Sequence, residues 1–254
     1  MGSPPAQLSL VAFYRSKPSQ LEDLIRQCQD IASDRLGICF TPYEVAQVHA
    51  TITGMERVPL PGIDDIYLSR NAHVLYDRRQ EMNYDSLRPT VENLLPVSIR
   101  WGGYNPNEIP YTGKSAQPFR RSIYFNRSTG KLVLIGWPHI NGDFSEPKLL
   151  QLRNGLEREC GLVHKYQNDN DFFQVLGTFD LSKVQGVDGE IYQAEAQLAD
   201  LLEETRIDVE LTPEELQVVC YLDTALPAAT THSIALNSDE LSTALIKRLY
   251  GKHR

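Results

Sequence analysis

The order of elements along this chain occurs twice, and a repeated order restricts the possible folds more than any single segment does. In the first half, residues 8–14 form a short β-branched and aromatic run that reads as a buried strand. Ser16 offers an N-cap with Pro18 in the first turn, and Leu21, Leu24, Ile25, Cys28 and Ile31 recur at helical spacing until Gly37 stops the helix. A strand over 45–54 follows, ending in Gly54. In the second half, 132–137 reads as a strand, Ser145-Glu146-Pro147 opens a helix carrying Leu149, Leu150, Leu152, Leu156 and Cys160, and Gly161 closes it. Residues 172–177 then form the next strand, its Gly177 echoing Gly54.

The echo continues. A helix near 87–95 precedes a strand over 97–101, a Gly/Pro/Asn-rich turn and a strand over 121–125; a helix over 191–205 precedes a strand over 216–221, a turn with Pro227 and a strand over 232–236. Arg121-Ser122-Ile123 and His232-Ser233-Ile234 therefore take matching places, and a helix over 238–250, capped by Ser238, finishes the chain. Residues 56–85, with the turn cluster Pro59-Leu60-Pro61-Gly62, read as a long connection with minor structure. The expected fold is α+β: one bilobal, pseudo-twofold duplicated domain over 1–254, with two mainly antiparallel sheets facing a central cleft and helices outside. Lobe one is mainly 1–130 and lobe two mainly 131–254, with strands free to exchange between them.

Composition excludes several functions. A net charge of −8 over 254 residues argues against an extended nucleic-acid surface, because phosphate neutralisation needs a basic footprint. Cys28, Cys39, Cys160 and Cys220 are scattered, which suggests neither a zinc site nor a disulfide framework, and no metal or cofactor is expected. No run reaches the roughly 18 apolar residues of a membrane span, and 8–14 lacks the flanks of a signal peptide, so a cytoplasmic location and no membrane partner are expected. Gly102-Gly103 and Gly54 form no phosphate-binding loop, and no G-x-S-x-G elbow occurs.

The most informative short motif is His49-Ala50-Thr51. Period two puts His49, Thr51 and Thr53 on one face of the strand and Ala50 and Ile52 on the other. An imidazole beside a hydroxyl can serve a phosphate: a neutral His takes a proton from water or a ribose hydroxyl, and Thr donates to a nonbridging oxygen. The same residues also read as an ordinary solvent-facing His and Thr on a strand.

In its setting, Val48-His49-Ala50-Thr51-Ile52-Thr53-Gly54, together with the strand at 8–14, its helix, the strands around Val97 and Arg121, and 132–137 with its helix, resembles the two-histidine phosphoesterase superfamily. That superfamily includes RNA 2′,5′-ligase-like proteins and cyclic phosphodiesterases. The resemblance implies one His-x-Thr/Ser motif from each lobe meeting in a central cleft, one His acting as base and the other as acid. Here Gly177 aligned with Gly54 sets Phe172 at the second His and Gln174 at the second Thr. Phe172 is then expected to stack a base and Gln174 to hydrogen-bond phosphate, although a Phe-Phe strand also reads as core packing.

His139, on the loop at a strand end, and His232, in an outer strand, are candidate replacements for the lost imidazole; His73, His164 and His253 fall in polar connections or the tail. Tyr14, Arg15, Arg57 and Trp137 end strands or begin connections near the expected cleft and are candidates to bind an anionic nucleotide by charge and stacking. Two functions follow as expectations. One is metal-independent hydrolysis of 2′,3′-cyclic or 2′,5′-linked nucleotide or RNA phosphodiesters by His49 and Thr51; the other is a catalytically degenerate module of the same fold that binds a nucleotide, an RNA end or a protein.

Overall fold

The computed structural model describes residues 7–60, 63–105, 121–180, 182 and 188–251. His253, Pro61-Gly62 and most of the turn between 101 and 121, read from the sequence above, lie outside them. The chain runs β1 (Gln7–Ala12), α1 (Ser19–Leu36), β2 (Phe40–Pro42), β3 (Ala50–Gly54), β4 (Arg57–Leu60), β5 (Ile63–Ser69), α2 (Arg70–Tyr76), α3 (Leu87–Leu94), β6 (Val97–Gly102), β7 (Ile123–Asn126) and β8 (Lys131–His139). It continues with α4 (Lys148–Cys160), β9 (Phe172–Phe179), α5 (Asp188–Glu204), β10 (Arg206–Leu211), β11 (Leu216–Tyr221), β12 (His232–Ala235) and α6 (Thr243–Gly251).

The expected α+β class with antiparallel strands holds. Ten strands form a sheet in the order β10-β6-β8-β9-β3-β1-β11-β12, with β2 also on β9 and β7 also on β8, and β4 and β5 form a separate hairpin. At the middle of the sheet β3 meets β9 in a single residue pair, Ala50 opposite Gln174. Beyond it lie β1 on one side and β8 on the other.

Helix α1 forms because its apolar residues recur every three or four positions, burying Leu21, Leu24, Ile25, Cys28, Ala32 and Leu36. Each full burial of a Leu or Ile contributes roughly 1.5–3 kcal/mol. Gly37, at φ +50, ends the helix with its N–H on the Ser33 carbonyl, as the sequence suggests. The start differs: Pro18 is the N-cap and the helix begins at Ser19, so Ser16 caps nothing. Helix α4 likewise lacks a local cap, and Asn170 supplies one from a distance, its Oδ1 accepting from Leu149 N at 3.0 Å and Leu150 N at 3.1 Å.

The sheet has two unlike faces. One carries the main core, in which Phe13, Trp101 and Phe172 pack edge to face at centroid distances of 5.4 to 6.3 Å. The other carries two smaller apolar clusters, Val11, Tyr14, Val219, Tyr221 and Leu226 on and just beyond β1 and β11, and Tyr104, Val133, Ile135, Trp137 and Phe144 around β8.

Several expected bounds shift. Val45–Gln47 is a 3-10 turn, so the strand begins at Ala50. The 56–85 connection holds a hairpin and a helix. Residues 206–211 are a strand. The last helix starts at Thr243, not at Ser238. The expected match of Arg121-Ser122-Ile123 with His232-Ser233-Ile234 is not one of pairing, since β7 joins β8 whereas β12 joins β11.

Candidate functional site

His49 immediately precedes β3, and its ring packs edge-on against Tyr14 at 6.1 Å, while Arg15 N donates to the Ala46 carbonyl at 2.7 Å. These contacts fasten the end of β1 to the turn before β3. His49 Nδ1 lies 2.7 Å from the Gln47 carbonyl oxygen, which fixes the Nδ1–H tautomer and leaves Nε2 as an acceptor. Burial holds the imidazole pKa down at about 4; the Gln47 carbonyl raises it in part, and the charges of Lys17 and Lys131 lower it further. The ring is neutral at physiological pH.

Pleat parity decides which residues share this face. Ala50 opposes Gln174, so both point to one side, and Phe172 lies two residues along from Gln174 on that side. Ala50, Ile52, Phe172 and Gln174 are all essentially inaccessible. His49, Thr51, Phe173 and Val175 alternate to the other side, and all four are half-buried. They form a strip between the two smaller apolar clusters. The expectation for Phe172 and Gln174 is therefore corrected: Phe172 packs on Phe13 and Trp101, and Gln174 Oε1 accepts from Trp101 Nε1 at 3.0 Å, so neither side chain shares the His49 face. Alignment through the glycines slips by one because each strand bulges, at Ile52 in β3 and at Leu176 in β9, but Gly177 adjoins its bulge whereas Gly54 lies one residue further on, so the two glycines face opposite sides of the sheet. The bulge also takes Thr53 out of the alternation; it is buried, with its hydroxyl 3.4 Å from the Leu162 carbonyl.

The other expected binding residues divide. Tyr14 borders His49, but it is buried and its hydroxyl donates to the Leu226 carbonyl at 3.0 Å. Arg15 is exposed, with contacts at 3.4 Å to the Ala228 and Thr231 carbonyls. Trp137 is buried, donating from Nε1 to Asp171 Oδ1 at 3.1 Å under the Arg121 guanidinium. Arg57 lies 5.0 Å from each of the Tyr67 and Tyr250 rings, which stack on one another, and serves the hairpin.

Among the described residues no second imidazole joins His49. His139 ends β8 buried, its Nδ1 accepting from Gly142 N at 3.1 Å and its Nε2 lying 2.9 Å from Asp208 Oδ1, so both nitrogens are engaged. His232 is exposed and opens β12. His164 lies in a polar cleft of about 320 Å³ beside Arg153, its Nε2 3.4 Å from Asp169 Oδ2.

No family model matches the sequence, and no curated protein does. Two solved structures are similar to the chain at a distance. One is TT0787 of Thermus thermophilus, 11% identical over 91% of this chain and 95% of that one, with a TM-score of 0.43. The other is a conserved protein of unknown function, ATU0111, from Agrobacterium tumefaciens, 13% identical over 82% of each chain, with a TM-score of 0.39. Among the described residues no helix is long and apolar enough to cross a membrane, and no cluster of His, Cys, Asp and Glu could hold a metal ion.

Sequence reading missed Lys17, which follows Tyr14 by three residues and is only 9% exposed. Among the described residues its ammonium finds no hydrogen-bond partner, and burial lowers its pKa to about 8, Glu22 offsetting part of the effect. A folded-state pKa below the unfolded 10.5 means the charged form is disfavoured by folding, so the penalty is full below pH 8 and relieved as pH rises toward 10.5. Lys17→Met is therefore expected to stabilise the protein by roughly 2–3 kcal/mol at pH 7, with the gain disappearing above the unfolded pKa, as measured by urea denaturation.

For His49 the unfolded state binds the proton more readily, so stability falls as pH drops from about 6.5 toward 4. The loss is at most about 3 kcal/mol, reduced by solvent screening at a half-buried ring. His49→Asn is expected to remove about 2 kcal/mol of the stability difference between pH 7 and pH 4.5, read from urea midpoints. An unchanged pH dependence in the variant would show that the ring is solvated.

Proposed function

We propose that this chain is a two-histidine-phosphoesterase-like protein that retains one of the two catalytic motifs, and that the His49–Thr51 face binds a phosphorylated nucleotide or RNA end. The reading rests on one observation: His49 and Thr51 stand together on the half-buried strip of the central strands, with Phe173 and Val175 beside them. The bilobal duplicated arrangement belongs to the same reading. The units β1–α1–β3 and β8–α4–β9 repeat in order, and a twofold through the Ala50/Gln174 pair carries His49 onto Phe173 and Thr51 onto Val175. The central cleft is then the strip itself.

The chemistry follows from what each group can do. His49 Nε2 has a free lone pair for an O–H of the ligand, and the Thr51 hydroxyl donates to a nonbridging phosphate oxygen. Phe173 offers part of its ring for a base to stack on. Hydrolysis of a cyclic phosphate needs a proton taken from water and a proton delivered to the leaving ribose oxygen. His49 supplies the first function, weakly at a pKa of about 4, and the second has no imidazole on this face among the described residues. Binding with slow or no turnover is the function this geometry supports.

Isothermal titration with 2′,3′-cyclic nucleotides and RNA ends, alongside product analysis, tests the reading. Wild type is expected to bind them, His49→Ala to weaken binding about tenfold or more, and turnover to stay near background. Absence of binding by wild type would refute the reading; rapid turnover abolished in His49→Ala would replace the module by the enzyme.

A further inference from the structure

Resting on that reading, we propose that Lys17 is the anion anchor of the His49–Thr51 face, and that the preferred ligand is a ribose phosphomonoester with a free hydroxyl beside the phosphate. The 2′- and 3′-phosphates of nucleosides, or the matching phosphorylated RNA ends, belong to this class. A 2′,3′-cyclic phosphate does not.

The argument starts from a buried cation without a hydrogen-bond acceptor, to which Glu22 offers only a partial through-space counter-charge. Lys17 is nine-tenths buried, its Nζ is hidden from solvent, and it has no hydrogen-bond partner among the described residues. An ammonium group buried without an acceptor is costly in a folded protein unless something bound supplies one. The segment that carries it is fixed against the segment that carries His49: the Tyr14 and His49 rings meet at 6.1 Å, and Arg15 N bonds the Ala46 carbonyl. The charges of Lys17 and of half-buried Lys131, the first residue of β8, both act on the His49 ring, whereas no carboxylate among the described residues does. In a chain of net charge −8, this is a locally positive end of a strip that is otherwise neutral.

The neutral imidazole refines the choice. With Nδ1–H held on the Gln47 carbonyl, Nε2 accepts a hydrogen bond and repels a bare phosphate oxygen. A ligand that suits both groups has an anionic phosphate for Lys17 and Thr51 and an adjacent hydroxyl donor for Nε2. A ribose 2′- or 3′-phosphomonoester has both, and near pH 7 it carries a charge of about −1.5 to −2. The cyclic ester carries one charge and no vicinal hydroxyl. The 2′-deoxy 3′-phosphate has the charge without the hydroxyl.

The test is calorimetric titration of 3′-AMP, 2′-deoxy-3′-AMP and 2′,3′-cyclic AMP into wild type, Lys17→Met, Lys17→Gln and His49→Ala, each variant first checked for a native circular dichroism spectrum. Wild type is expected to bind 3′-AMP about tenfold more tightly than either of the other two. Either Lys17 variant is expected to shrink the preference over the cyclic ester to that over the deoxy analogue, and His49→Ala to lose the preference over the deoxy analogue. Equal affinity of wild type for 3′-AMP and 2′,3′-cyclic AMP overturns the proposal while leaving the phosphate-binding face intact, and so does a preference over the cyclic ester that is undiminished in both Lys17 variants. If wild type binds none of the three, the face itself is misassigned and the proposal falls with it.

Discussion

Arg153→Met is expected to destabilise the protein by about 3–5 kcal/mol, enough to leave much of it unfolded at moderate temperature. Arg153 projects from α4 and is 3% exposed. Its guanidinium donates to the Ile52, Thr51 and Asp171 carbonyls at 3.1, 3.3 and 3.1 Å, and to the Asp169 carbonyl and Oδ2 at 2.8 and 3.2 Å. The middle strands meet only at Ala50/Gln174, and this one side chain satisfies the carbonyls where they part. Its removal leaves those oxygens short of donors and strips the cation from a buried carboxylate. Arg153→Lys is expected to recover little, because one ammonium cannot reach five acceptors spread over β3 and the segment leading into β9. Urea denaturation checks both variants; a loss under about 1 kcal/mol for Arg153→Met would mean that water replaces the guanidinium at no cost.

The second large effect is a gain. On the proposed reading, Phe173→His combined with Val175→Thr places a second His-x-Thr on the strand face that His49 and Thr51 occupy. It is expected to raise hydrolysis of 2′,3′-cyclic nucleotides about 10²–10⁴-fold, the usual contribution of one proton-transfer group. Phe172→His with Gln174→Thr, the pair that glycine alignment selects, puts an imidazole among Phe13 and Trp101 and removes the acceptor of Trp101 Nε1. That variant is expected to lose roughly 3 kcal/mol of stability and gain no activity. Activity in the second variant and none in the first would reverse the assignment of faces.

The contrast between these variants shows what the sequence carries and what it does not. Strong periodicity locates α1 and β11, because apolar spacing reports burial directly. Residues 206–211, between the helix over 191–205 and the strand over 216–221, escape notice because Arg206, Asp208 and Glu210 make the segment half charged, although they alternate with Ile207, Val209 and Leu211. His49, Thr51 and their strand are legible as a short motif. The partner positions are not, because register depends on bulges that no local pattern marks, and one residue of slip moves every side chain through the sheet. Lys17 is invisible for a related reason: a lysine between Ser16 and Pro18 looks solvated, and its burial comes from tertiary packing that local spacing does not report.

The most direct test is nuclear magnetic resonance mapping of the backbone and side chains during titration with 3′-AMP. The expected result is perturbation of His49, Thr51, Phe173 and Val175, with the His49 ring keeping its Nδ1–H tautomer, while the core-facing Phe172 and Gln174 side chains stay unmoved. Perturbations gathered instead around His164 and the polar cleft beside Arg153, or none at all, would contradict the assignment of ligand binding to this face.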